Sequence, residues 1–168
     1  MSDAEARLYA DLAALGITYE AHEHPPVFTV EESGQHTRNI KGAHTKNLFL
    51  KDKAGAFWLV TVPDQARVDL KSLPDAIGCA RVSFGKPEDM ELLLCISPGS
   101  VTALAAINDT VGAVRFVLDA GLAEAEAINC HPLRNSATLS LAPADLVRLL
   151  THWQHVPIIA FIPTLEPA

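Results

Sequence analysis

The sequence lacks most of the usual handles of catalysis. It has no G-x-S-x-G, no H-E-x-x-H, no P-loop and no G-x-G-x-x-G. The nucleophile elbow, the zincin helix and the common phosphate-cradling loops are therefore excluded. Cysteine is scarce: Cys79, Cys95 and Cys130 are an odd count with no C-x-x-C pairing. That argues against a disulfide framework or a structural zinc site and points to a reducing compartment. No apolar run is long enough to cross a bilayer. The start, Met1-Ser2-Asp3-Ala4-Glu5, is acidic and lacks the basic and apolar regions of a secretory leader. The expectation is a cytoplasmic chain with no membrane partner.

What is present fits one domain spanning residues 1–168, with 49% hydrophobic and 20% charged residues and enough length for its own core. The formal charge of -7 is unevenly spread. Residues 1–35 and 87–168 each carry net -6, whereas residues 36–86 carry net +5. The basic set is Arg38, Lys41, Lys46, Lys51, Lys53, Arg67, Lys71, Arg81 and Lys86. A solvated face is the plain explanation; a local phosphate-binding surface is the sharper one.

Leu8, Leu12 and Leu15 at helical spacing before Gly16 predict an opening helix, followed by a strand to about His22. Thr29-Val30-Glu31-Glu32 reads as a capping box opening a short helix. Residues 46–62 read as two antiparallel strands around an Ala54-Gly55 turn. Asp69 to Ile77 reads as a helix stopped at Gly78, Arg81 to Phe84 as a short strand, and Pro87 as the first turn of a further helix. Ser97-Pro98-Gly99-Ser100 is a turn. Strands are expected over 113–118, 127–130 and 138–141, with a short helical piece from Ala120 and a final helix from Pro143. The pattern is α+β: a mixed, mainly antiparallel central sheet flanked by helices.

Seven histidines raise the question of a metal. His22 with His24, and His152 with His155, lack a spaced third ligand, so these four read as surface or partly buried histidines. Two segments place polar groups where an apolar strand meets a loop: Thr45-Lys46-Asn47-Leu48-Phe49-Leu50 and Asn129-Cys130-His131-Pro132-Leu133-Arg134-Asn135-Ser136-Ala137-Thr138. On the residues alone, Lys46 is equally a strand-end lysine, His131 a turn histidine, and Asn47 and Asn135 turn chemistry.

Taken with His24-Pro25-Pro26-Val27-Phe28-Thr29, Ser97-Pro98-Gly99-Ser100-Val101-Thr102 and Ala106-Ile107-Asn108-Asp109, in this order, the segments resemble the prolyl-tRNA-editing domain family. It is also called the YbaK/ProRS-associated domain. Within it the chain is similar to the freestanding ProX type, which hydrolyses mischarged alanyl-tRNA(Pro). The resemblance covers nearly the whole chain and departs from the family pattern at Ala103-Leu104. It implies a cofactor-free deacylase with Lys46 as the catalytic lysine and Asn47 and His131 as polar groups of the pocket. It also implies Gly99 and Ser100 beside the aminoacyl group, and Arg81 in contact with tRNA or substrate.

Ile17, Val27, Phe28, Phe49 and Leu50 are the apolar candidates for the pocket wall, and Lys41, Lys51 and Lys53 the candidates for contact with the tRNA acceptor end. The implied partners are tRNA(Pro) carrying a mischarged amino acid and prolyl-tRNA synthetase. The alternatives are another mischarged species (cysteinyl-tRNA(Pro), seryl- or threonyl-tRNA), a non-catalytic module that binds tRNA or a synthetase, and a metal-dependent hydrolase using the histidines.

Overall fold

Each element begins where its local chemistry allows. Helix α1 (Asp3–Ala14) is capped by Ser2, whose hydroxyl accepts the Glu5 N–H at 3.1 Å, and it buries Leu8 and Leu12. Gly16 sits at φ +65°, a conformation costly for other residues. It turns the chain into β1 (Tyr19–Glu23). The computed structural model describes residues 2–27, 37 and 39–165. Phe28 and the capping box at Thr29 lie outside the described residues.

Strands β2 (Ala43–Asp52) and β3 (Phe57–Pro63) form the expected hairpin. Asp52 fixes its turn, accepting the Ala56 N–H at 2.9 Å and the Trp58 Nε1–H at 3.1 Å. Then follow α2 (Leu73–Ile77), β4 (Val82–Phe84) and α3 (Pro87–Leu94). The helix expected from Asp69 is shortened to its last turn. Residues 69–72 instead form a turn, in which Asp69 accepts the Lys71 N–H at 3.2 Å and the Ser72 hydroxyl at 2.8 Å. Beyond a 3-10 turn at Pro98–Ser100 and a 3-10 helix at Ala103–Asn108 lie β5 (Val114–Asp119) and α4 (Ala120–Ala123). The chain closes with β6 (Ile128–Cys130), β7 (Ala137–Leu141), α5 (Pro143–His152) and β8 (Ile158–Ala160).

The eight strands make one mixed sheet, ordered β1-β7-β6-β2-β3-β5-β8, with β4 also on β2. Pairs β1–β7, β2–β3, β2–β4 and β6–β7 are antiparallel; β2–β6, β3–β5 and β5–β8 are parallel. The larger core joins α1, α3, the 3-10 helix and α5 to one face of the sheet, including Phe49, Leu59, Phe116 and Leu139. A smaller core on the other face gathers Leu50, Trp58, Val60 and Val62 under α2. No helix among the described residues is long and apolar enough to cross a membrane.

The feature that positions a candidate site is a slit in the strand pairing along one edge of β2, among the described residues. Strand β3 covers one edge of β2 from Thr45 to Lys51. On the opposite edge β6 pairs only Ala43 and His44, and β4 pairs only Leu50 to Asp52. Among the described residues, no strand fills the interval between them. The Asp64 N–H bonds to the His44 carbonyl on the β3 side, and the Gly85 N–H bonds to the Phe49 carbonyl on the other. Backbone groups alternate along an antiparallel strand. The main-chain groups of Thr45 and Asn47 therefore face this slit.

Candidate functional site

Side chains of β2 alternate between faces. Leu48 and Leu50 belong to the smaller core, whereas Phe49 belongs to the larger one. Lys46 accordingly shares a face with His44 and Leu48, and Asn47 shares the other with Phe49. Lys46 is half-buried, and its amine makes no ion pair or hydrogen bond among the described residues. A half-buried ammonium without a carboxylate favours an anionic or strongly dipolar visitor.

Asn47 is engaged at both ends of its amide. Its Oδ1 accepts the Thr61 hydroxyl at 2.6 Å, and its Nδ2 donates to the Val101 carbonyl at 3.3 Å. Next along the loop, the Thr102 hydroxyl donates to the His131 carbonyl at 2.7 Å. These bonds tie β2, the loop carrying Gly99 and Ser100, and His131 into one assembly. The Ser100 N–H closes the 3-10 turn on the Ser97 carbonyl at 2.9 Å, so that amide is committed. The Asn47 main-chain N–H, by contrast, is turned toward the slit.

His131 borders a recess of about 20 Å³ with Thr37, His44, Thr45, Asn129, Cys130 and Thr138. Its Nδ1 lies 2.9 Å from the Ala137 carbonyl. A carbonyl only accepts, so Nδ1 carries a proton and Nε2 holds the lone pair of the neutral ring. Burial pushes the His131 pKa below the usual histidine value, against a smaller upward pull from the Ala137 carbonyl. The ring is therefore neutral at pH 7. His24 stands edge-on to it, ring centres 6.3 Å apart, with Nε2 at 2.9 Å from the Thr138 hydroxyl. Cys130 is inert here: burial pushes its thiol up to about 12, far from the thiolate a nucleophile needs.

Sequence reasoning passed over His24, His44, Asn129 and Thr138 as site residues. The one available signal was that 129 and 138 bracket the motif containing His131. It also gave no role to Arg134 and Asn135, which hold the motif in place. Arg134 Nε donates to both oxygens of the buried Glu5 carboxylate at 3.1 and 3.0 Å, and its Nη1 donates to Glu23 at 2.8 Å. The Val27 N–H donates to the Asn135 carbonyl at 3.1 Å, and Asn135 Nδ2 donates to the Val27 carbonyl at 2.8 Å. Val27 is thus buried and clamped to this loop.

Other expected residues lie elsewhere. Phe49 is a core side chain, its ring stacked on Phe57 at 5.5 Å; Leu50 and Ile17 are likewise core. Ala103 and Leu104, where the chain departs from the family pattern, are buried in the 3-10 helix. Arg81, with Lys71, lines a cavity of about 610 Å³ near the hairpin end of β2. Its carbonyl accepts the Lys53 N–H at 2.9 Å. Lys53 and Lys51 share that end, with Lys51 Nζ 5.3 Å from the centre of the Phe57 ring. Lys46 and Asp52 are six positions apart along the strand, about 20 Å. Lys41 lies at the other end, on a groove of about 450 Å³. Among the described residues, no group of three His, Cys, Asp or Glu side chains is placed to hold a metal ion.

The sequence profile of the aminoacyl-tRNA editing domain matches residues 24–149, a span that holds β2, the Gly99 loop and the His131 motif. Prolyl-tRNA synthetase associated domain-containing protein 1 of Bos taurus is 42% identical over 166 residues, covering 95% of this chain and 96% of its own. Prolyl-tRNA editing protein ProX of Acetoanaerobium sticklandii is 34% identical over 149 residues, covering 88% and 91%. The crystal structure of a candidate trans-editing enzyme for prolyl tRNA synthetase superposes with a TM-score of 0.74 at 19% identity, covering 98% of this chain and 99% of that one. That last likeness speaks to the fold. The profile and the two relatives go further: the chain belongs to the aminoacyl-tRNA editing domain family, in its prolyl-tRNA-editing (YbaK/ProRS-associated) branch.

Proposed function

We propose that the chain is an aminoacyl-tRNA deacylase acting on a tRNA that carries a small, wrong amino acid, and that alanyl-tRNA(Pro) is its substrate. The observation that carries this reading is the half-buried Lys46 of β2, whose amine has no partner among the described residues, in a chain of the editing family. The ester of an aminoacyl-tRNA is already activated, so positioning and charge stabilisation suffice without a dedicated nucleophile.

In this reaction water adds to the ester carbonyl carbon, and the bond from that carbon to the ribose oxygen breaks. The water's proton ends on the ribose oxygen, releasing the free amino acid and the tRNA hydroxyl. Lys46 supplies the positive charge that holds the ester or terminal phosphate oxygens. Neutral His131, with its Nε2 lone pair, orients the water or the ribose hydroxyl. The Asn47 main-chain N–H, turned toward the slit, is assigned to the developing oxyanion; that of Ser100 is engaged. The Asn47 side chain positions the Gly99 loop.

Size supports alanine. A proline-activating pocket excludes a smaller residue poorly, since each missing methylene is worth roughly 1–3 kcal/mol. The recess of about 20 Å³ is of the order needed by a single water. It suits a methyl group and not a pyrrolidine ring.

The test is hydrolysis of alanyl-tRNA(Pro) beside prolyl-tRNA(Pro), with cysteinyl- and seryl-tRNA as further arms. The alanyl ester is expected to be cleaved fastest. Lys46→Ala is expected to lose about 100-fold or more in kcat/KM with an unchanged melting temperature. Full activity in that variant overturns the role given to Lys46.

A further inference from the structure

The deacylation reading leaves the groove of about 450 Å³ without an occupant. It opens at the start of β1 and β2 and the end of β7, bounded by Glu20, Lys41, Gly42, Ala43, Glu126 and Ser140. Its volume lies within the roughly 300–1,000 Å³ of ligand pockets. It shares a wall with the His131 recess. Ser140 Oγ donates to Asn129 Oδ1, and Asn129 Nδ2 lies 3.3 Å from His44 Nδ1. Asn129 and His44 line the recess while Ser140 lines the groove. Asn129 and Ser140 are 4% and 8% exposed, so this shared wall is buried, polar and internally bonded. At Gly42, φ is +105° and an added Cβ would meet the Ala127 carbonyl at 3.1 Å. The chain there lies close against the residues leading into β6.

The groove's charges are mixed. Lys41, Glu20 and Glu126 are all exposed; Lys41 and Glu126 flank the contact of Gly42 with Ala127, and Glu20 stands across on β1. Glu20 pairs in register with Ser140, with His22 Nε2 3.6 Å from its carboxylate. One cation among two carboxylates is not a general anion site. It fits a ligand with a phosphate for Lys41 and amino groups for the carboxylates. Cytosine and adenine present such amines, and a carboxylate accepts from them; uracil carries a carbonyl oxygen in place of the exocyclic amine.

We propose that this groove holds the single-stranded nucleotides preceding the terminal adenosine of the aminoacylated RNA. Lys41 takes a backbone phosphate, and Glu20 and Glu126 take base amino groups. The proposal rests on the deacylase reading of the adjoining recess but is tested without an ester. Amide spectra of the ¹⁵N-labelled chain are recorded during titration with the RNA trinucleotides CCA and UUA.

Shifts are expected at Gly42, Ala43, Ala127 and Ser140, with CCA bound about fivefold or more tightly than UUA. Lys41→Glu weakens CCA binding about fivefold or more, whereas Lys71→Glu, at the far end, leaves it within about twofold. Glu20→Gln with Glu126→Gln brings the CCA-to-UUA ratio toward one. Shifts mapping away from the groove, absence of binding at millimolar RNA, or equal effects of the two lysine reversals overturn the proposal. Deacylation with a silent groove sinks this proposal alone. CCA in the groove of a chain that cleaves no aminoacyl-tRNA sinks the deacylase reading alone.

Discussion

His131 shows how one side chain is set by its surroundings. Its Nδ1 is held by the Ala137 carbonyl at 2.9 Å, and burial lowers its pKa. The sign of the consequence follows from linkage. The unfolded histidine takes a proton near pH 6.5, and the folded one only at lower pH. Stability is thus fully present above about pH 6.5 and declines as pH falls through the folded value. Denaturant titrations between pH 7.5 and 5 are expected to show this slope, and His131→Gln to flatten it. Deacylation, corrected for spontaneous hydrolysis, is expected to hold level from pH 8 to about 6.5 and to fall below. A rate that rises as His131 is protonated contradicts its role as a neutral group.

At the scale of elements, two contacts hold the site's framework. Gly85 lets β4 close on β2: a Cβ there would lie 2.4 Å from two carbons of the Phe49 ring. Gly85→Ala is expected to cost about 1–3 kcal/mol, roughly 3–10 °C in melting temperature. Arg134 ties the His131 motif to α1 through Glu5, whose side chain is 3% exposed. Removing the guanidinium strands that carboxylate. Because Arg134 is itself 31% exposed, the expected cost of Arg134→Met is about 2–3 kcal/mol, toward the low end for a broken buried pair. Adding Glu5→Leu to Arg134→Met is expected to recover most of it, as apolar replacement of both partners often does. Chemical denaturation of the three variants measures this.

The elements themselves were largely legible. The alternation at residues 48–50, the Ala54-Gly55 turn and the leucine spacing of α1 and α5 are local signals. Strand β8 and the 3-10 helix at Ala103–Asn108 were not. The first is three residues long, and the second is buried at Ala103 through Ile107, leaving no amphipathic period to read.

Over the whole molecule, the basic middle third divides between the two ends of β2. Lys51, Lys53, Lys71 and Arg81 gather near the hairpin end, and Lys41 stands at the other. Lys51 lies five residues from Lys46, about 17 Å along the strand, too far to touch the reacting ester. The contribution proposed for it is to binding. Deacylation is expected to slow as salt rises. The Lys51→Glu, Lys53→Glu double variant is expected to raise KM more than it lowers kcat, read from initial rates over a tRNA concentration series. The residues proposed for the site, Lys46, Asn47 and His131, were picked out from the chain because they sit in recognisable segments. Its opening could not. Among the described residues, the slit arises because β4 and β6, distant in sequence, dock on the same edge of β2 and leave a gap between them.

That gap makes the phase of β2 decisive. Inserting one residue between Asn47 and Leu48 would let the strand keep a hydrogen-bonded neighbour while reversing which way each upstream side chain points. The amine would then be delivered to the loop side and the amide of Asn47 to the open side. Such a chain would retain most of its hydrophobic inventory and lose its chemistry. A one-residue change in length here therefore matters more than many changes in identity.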